Sequence, residues 1–193
     1  MDKPASPSTA DLRHAPLARL VAVVNAAADS RAADDTGADL HRAVGAALTE
    51  LTADGRRYPA EAIDAVVHCL PRFDPVFDAV EVDAAAAVIN SLLADSSGVP
   101  RVSNHDGSGW HVHSDRVPFS WRDWFVASSA LALAVALGGN GRLDWGRCAR
   151  PGCERVFENT GSGAPRLYCS AGCGSRVRVA RQRRQHQSTG LQK

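Results

Sequence analysis

Apolar residues return at helical spacing along most of the chain. Leu17, Leu20, Val21 and Val24 predict a helix over 12–28, with Pro16 near its start. Leu40, Val44, Leu48 and Leu51 predict a second over 39–51. Ala62, Ile63, Val66, Val67 and Leu70 form the buried side of a third, which opens at Pro59 and stops at Pro71. A short helix over 73–80 and a longer Ala-rich one over 82–93 follow. Residues 100–113 (PRVSNHDGSGWHVH) break the pattern. Two short runs flank Asp-Gly-Ser-Gly, which predicts a β-hairpin with a tight connection. Ser120 with Asp123 three residues later marks the start of another helix, carried by Trp121, Trp124, Phe125, Leu131 and Val135 to Leu137 and ended by Gly138 and Gly139.

Composition adds little until it is divided. The 193 residues are 45% hydrophobic and 22% charged, which excludes global disorder. No apolar stretch approaches the roughly 20 residues of a membrane span, and the first residues lack a signal-peptide pattern. A cytoplasmic protein with no membrane role is expected. The net charge of +1 conceals two opposed parts. Residues 142–193 hold ten Arg and one Lys against three acids, a net +8, and leave −7 on the first 141. A basic C-terminal piece of this kind points to an acidic partner, nucleic acid foremost.

The cysteines divide the same way. Cys69 sits alone in a helical run and reads as a buried small hydrophobe, with a sensing thiol as the other reading. Cys148, Cys153, Cys169 and Cys173 fall within twenty-six residues. Two close pairs separated by a loop can present four soft ligands at tetrahedral corners, so one Zn²⁺ per chain is expected. Pro151-Gly152 suits a tight turn in the first pair. Residues 155–157 and 166–168 read as strands of a hairpin, and Ser170 as the N-cap of a helix running toward Gln185. Knuckle, hairpin and helix together describe a treble-clef-like finger, closed to catalysis because all four ligand positions are thiolates.

That helix carries Arg176, Arg178, Arg181, Arg183 and Arg184, and no acid follows Glu158. Arg suits phosphates and guanine edges, and the scarcity of aromatics disfavours single strands, so duplex DNA is the expected partner. The bland alternative is a solvated basic helix end. The domain reading is a disordered N-terminus (1–9), an α-rich domain with one small hairpin (10–137), a linker (138–141), the finger with its basic helix (142–186) and a disordered tail (187–193).

The cysteine pairs, Glu154-Arg-Val-Phe, Arg166-Leu-Tyr-Cys-Ser and Cys173-Gly-Ser-Arg resemble the CGNR zinc-finger family, with Ser175 where the eponymous motif has Asn. Residues 19–25 (RLVAVVN) and 99–113 are similar to the ABATE domain, which precedes this finger in bacterial proteins described as stress-induced transcription regulators. The resemblance implies DNA binding and regulation rather than a reaction. The N-terminal domain would then sense a small-molecule effector or form a homodimer. A protein–protein interaction module, docking an acidic partner or the chain's own body, is the alternative.

One further cluster is singled out. His105, His111 and His113 lie in the hairpin, with His111 and His113 on one strand face, an arrangement able to hold a metal or an anion. A ligand pocket walled by Trp110, Trp121 and Trp124 beside them is the middle reading; satisfied or solvated histidines are the plain one. No nucleophile–base pair or phosphate-binding glycine loop marks an enzyme.

Overall fold

The computed structural model describes residues 16–33, 37–50, 57–104, 110–159 and 164–190. The segment 1–9 and His105 lie outside them. The elements are α1 (Pro16–Ala32), α2 (Gly37–Glu50), α3 (Ala60–Cys69), a 3₁₀ turn (Leu70–Phe73), α4 (Asp74–Asp78), α5 (Val82–Ser96), β1 (Ser97–Ser103), β2 (His111–Asp115), α6 (Trp121–Asn140), β3 (Trp145–Arg147), β4 (Val156–Glu158) and α7 (Ala171–Gly190). The protein is mainly helical with two small antiparallel hairpins, β1–β2 and β3–β4. No helix of the described residues is long and apolar enough to cross a membrane.

Two helices occupy the centre. On α6 every residue from Trp124 to Ala130 is buried, and the run Ala127-Ser-Ser-Ala130 lets neighbours approach closely. On α1, burial extends past the apolar stripe to Arg19, Asn25 and Ser30. Arg19 donates to Ser128 Oγ at 2.9 Å and stacks its guanidinium 4.7 Å from the Trp124 ring centroid. α2, α3 and α5 present single stripes to this centre, among them Val44, Leu48, Ala62, Val66, Ala85, Ile89 and Leu92.

The expected helices are present, and α1, α5, α6 and α7 end three to five residues later than expected. α6 does not stop at Gly138; both glycines are helical, and the turn comes at Gly141, whose φ of 62° is the left-handed conformation that glycine adopts without strain. Its amide bonds the Leu137 carbonyl at 2.7 Å. Residues 138–141 are therefore a helix end and its cap rather than a linker. The following corner is held by buried Asp144, which accepts from Arg142 Nε at 2.8 Å and from the Asn140 amide. α7 likewise continues through residues 187–190, where a disordered tail is expected.

The C-terminal piece is not set apart from the body. Trp145 and Val156 belong to the same hydrophobic core as α1 and α6. The Trp145 indole N–H donates to the Val76 carbonyl at 3.1 Å. Arg147 reaches Asp74 at 2.7 Å and also pairs with Asp78, and Arg155 meets Asp29 at 2.8 Å.

Candidate metal centre and basic helix

β3 and β4 pair in the register Trp145↔Glu158, Gly146↔Phe157 and Arg147↔Val156. Phe157 lies across Gly146, where a Cβ would come within 3.2 Å of its ring. The expected pairing of 155–157 with 166–168 is corrected here. The second of those runs is not a strand, and 155–157 instead pairs back across the first cysteine knuckle. The ladder extends into that knuckle through Cys148 N–H to Arg155 O at 2.9 Å. Pro151 and Gly152 make the anticipated turn: Gly152 has φ 71°, and Cys153 N–H closes on Arg150 O at 3.0 Å.

The second knuckle joins the first through Ala149 N–H to Leu167 O at 2.8 Å. Arg166 braces it, donating to Cys169 O at 2.8 Å with its guanidinium over Phe157. Ser170 then caps α7, its hydroxyl accepting from Cys173 N–H at 3.2 Å, which sets Cys173 in the first turn. Gly174 leaves room for Tyr168, since a Cβ there would sit 3.2 Å from the ring.

These supports bring four sulfurs together. The Sγ atoms of Cys148, Cys153, Cys169 and Cys173 all lie within 4.8 Å of one another. Cys153 is 3.9 Å from Cys169 and 4.0 Å from Cys173, and Cys169 is 3.6 Å from Cys173. A disulfide requires about 2.05 Å. Tetrahedral zinc with Zn–S near 2.3 Å requires sulfurs about 3.8 Å apart, which these distances bracket. All four cysteines are free thiols in a geometry fitted to a metal ion. Residues 145–186 match the CGNR zinc finger family. A search of the curated proteins finds no match to the chain.

Protonation follows from the crowding. Burial and the hydrogen bonds shared with the other three sulfurs push the Cys169 thiol up to about 12. Burial also acts against a charged Cys173, but hydrogen bonding to Ser170, Arg150 and the neighbouring sulfurs brings it down to about 6. The same crowding thus pushes the Cys169 and Cys173 thiols in opposite directions.

Beyond the metal centre, α7 runs into solvent. Arg176, Arg178, Arg181, Arg183 and Arg184 are all exposed, and no acid lies on the helix. At about 100° per residue, the five guanidinium stems spread over roughly 220° of its circumference.

The histidine hairpin is organised differently from the pocket that its residues suggest. Trp110 is 76% exposed, while Trp124 is buried and packed against Tyr58 and Trp121 at 5.7 and 5.8 Å between ring centroids. Two of the tryptophans are thus engaged in core packing, and the third faces water. Of the histidines, His111 contributes to the β2 backbone, and buried His113 bonds Asp115 Oδ1 at 3.2 Å. Asp115 also accepts from Arg101 at 3.0 Å. The His113–Asp115 partnership was missed in the sequence, although a spacing of two on one strand places both on one face. Cys69 donates its thiol to Val66 O at 3.2 Å, and burial pushes that thiol up to about 12.

Proposed function

We propose that this chain is a zinc-dependent, DNA-binding transcription regulator in which α7 contacts duplex DNA through Arg176, Arg178, Arg181, Arg183 and Arg184. The observation that carries this reading is the distribution of those arginines. A helix docking on a flat acidic protein needs charge on one side. A helix lying in a groove meets phosphates on both walls, which suits charge spread over more than half its circumference. The metal is zinc, one ion per chain, as four thiolates at this spacing favour a structural zinc site. Its four ligand positions are filled by protein, so the reading includes no catalytic role.

The body is proposed to be an ABATE domain that senses an effector or dimerises. Its similarity to that domain rests on residues 19–25 and 99–113, and the first stretch ends on Asn25, whose side chain hydrogen-bonds both backbone groups of Val156. The interaction-module alternative draws support from the ion pairs of the hairpin with the body. Those pairs, however, engage Arg147 and Arg155 and leave the α7 arginines facing solvent.

Duplex binding measured against salt tests the reading. Each phosphate-contacting Arg replaced by Gln should lower the slope of log K against log[salt] by about one. Selection from a random duplex pool, with zinc-loaded and chelated protein side by side, should yield bound sequences from the loaded form alone. Affinity unchanged after replacing Arg181, Arg183 and Arg184 together would show that α7 does not read DNA.

A further inference from the structure

Zinc with four thiolates carries a formal charge of −2, which a protein must balance. Backbone amides turned toward the sulfurs are one means. Here five amides in and beside the knuckles are committed to oxygen. Cys148, Ala149 and Cys153 donate to the carbonyls of Arg155, Leu167 and Arg150, Cys173 donates to the Ser170 hydroxyl, and Gly174 to the Ser170 carbonyl. A side chain also reaches the sulfurs. Arg150 Nε donates to Cys173 Sγ at 3.2 Å, and Arg150 shares the lining of one cleft with Cys153.

A second observation concerns access. Cys153 lines an open cleft of about 340 Å³ between the first knuckle and the end of α1, together with Asp29, Arg31, Arg150, Glu154 and Arg155. Cys153 is the half-buried ligand residue that this cleft exposes to solvent. Arg150 lines the same cleft, so its guanidinium is positioned both to compensate the cluster and to screen its open side.

We propose that Arg150 is the counter-charge of the metal centre: its guanidinium holds the Cys153 and Cys173 thiolates in their ligating arrangement and blunts their reactivity toward electrophiles. Arg150 ligates nothing itself. It is a positioning residue, acting through two ligands, and the inference rests on the zinc reading above. Charge-assisted hydrogen bonds draw electron density from the sulfurs, which lowers their nucleophilicity while leaving their bonds to the metal in place.

The test compares full-length wild type with Arg150→Lys, Arg150→Gln and Arg150→Ala. Zinc affinity is measured by competition with a chromophoric chelator. Alkylation of Cys153 by N-ethylmaleimide in the zinc-loaded protein is followed by peptide mass spectrometry, and far-UV circular dichroism checks folding. Arg150→Gln and Arg150→Ala should bind zinc about tenfold or more weakly, the usual scale for a lost outer partner of a metal ligand. Cys153 should be alkylated faster in the same two variants, while Arg150→Lys, which keeps the charge, stays near wild type. The Lys and Gln variants both keep a long side chain, so their comparison stands even where the Ala variant fails to fold. Equal affinity and equal alkylation in the Gln variant and wild type would overturn the proposal, as would loss in Lys equal to that in Gln. A wild-type protein that takes up no zinc overturns this proposal and the zinc reading together; zinc uptake indifferent to Arg150 overturns this one alone.

Discussion

Asn25 holds Val156 by both of its backbone groups. The side-chain amide donates to Val156 O at 3.1 Å, and Val156 N–H donates back to Asn25 Oδ1 at 2.8 Å. A helix side chain thus pairs with β4 as a neighbouring strand would, in a buried position on α1. The finger's first hairpin is thereby wired into the centre of the body.

Replacing Asn25 with Ala should destabilise the protein by about 2–4 kcal/mol, because two buried backbone groups lose their partners at once. Asn25→Asp, which keeps the acceptor and lacks the donor, should also destabilise, since it aims a carboxylate at a carbonyl oxygen. Urea denaturation of zinc-loaded protein reads both. An Ala variant within about 0.5 kcal/mol of wild type would mean that the pairing carries no weight.

Metal removal should be felt far from the sulfurs. Trp145 is buried in the common core and bonds Val76, and its strand is continuous with the first knuckle. Chelation should therefore shift tryptophan emission to longer wavelength and lower the melting temperature of the whole chain. In Trp145→Phe the emission shift should largely vanish while the loss of melting temperature persists. An unchanged melting temperature in chelated wild type would show that the finger folds independently of the body.

Zinc uptake should weaken as pH falls. At pH 7 the Cys169 thiol, with its proton held until about 12, must lose that proton to become a ligand. Each proton displaced makes the affinity rise by about tenfold per pH unit. Titration in weak buffer should accordingly acidify the solution on zinc addition, and affinity measured at successive pH values should climb between pH 6 and 8. A flat profile would mean that the thiols were already ionised before the metal arrived.

Cys69 should behave as packing rather than as a reactive thiol. Burial holds it protonated up to about 12. Under native conditions at pH 8 the zinc-loaded protein should therefore leave Cys69 unlabelled by a maleimide, and the label should enter only after denaturant unfolds α3. Rapid native labelling would restore the sensing reading.

Much of this arrangement could be read from the residues themselves, and the gaps have identifiable causes. Helical spacing located the helices well because each outer helix buries one stripe, and the cysteine pairs declared the metal centre because ligand geometry leaves few alternatives. The hairpin partner was misjudged because β3 is only Trp-Gly-Arg, too short to show strand alternation. Gly138 and Gly139 resemble a stop, yet the chain turns only where a left-handed residue is needed, at Gly141. Asn25 looked like an ordinary polar residue on a helix. Its purpose exists only once Val156, 131 residues away, is laid beside it. Trp121 and Trp124, read in sequence as pocket walls, pack against each other in the structure.

α7 begins at the metal and extends to Gly190. From Cys173 to that end a helix measures about 25 Å, at 1.5 Å per residue. Its fixed end is a single turn gripped by one ligand and one serine cap. Such an element is a lever arm whose pivot is a sulfur. A tilt of about 10° at the pivot would carry the far end through roughly 4 Å. Sub-ångström rearrangements among the four thiolates, too small to disturb the core, would thus be magnified at Arg183 and Arg184, about 16 Å from the pivot, into displacements of roughly 3 Å.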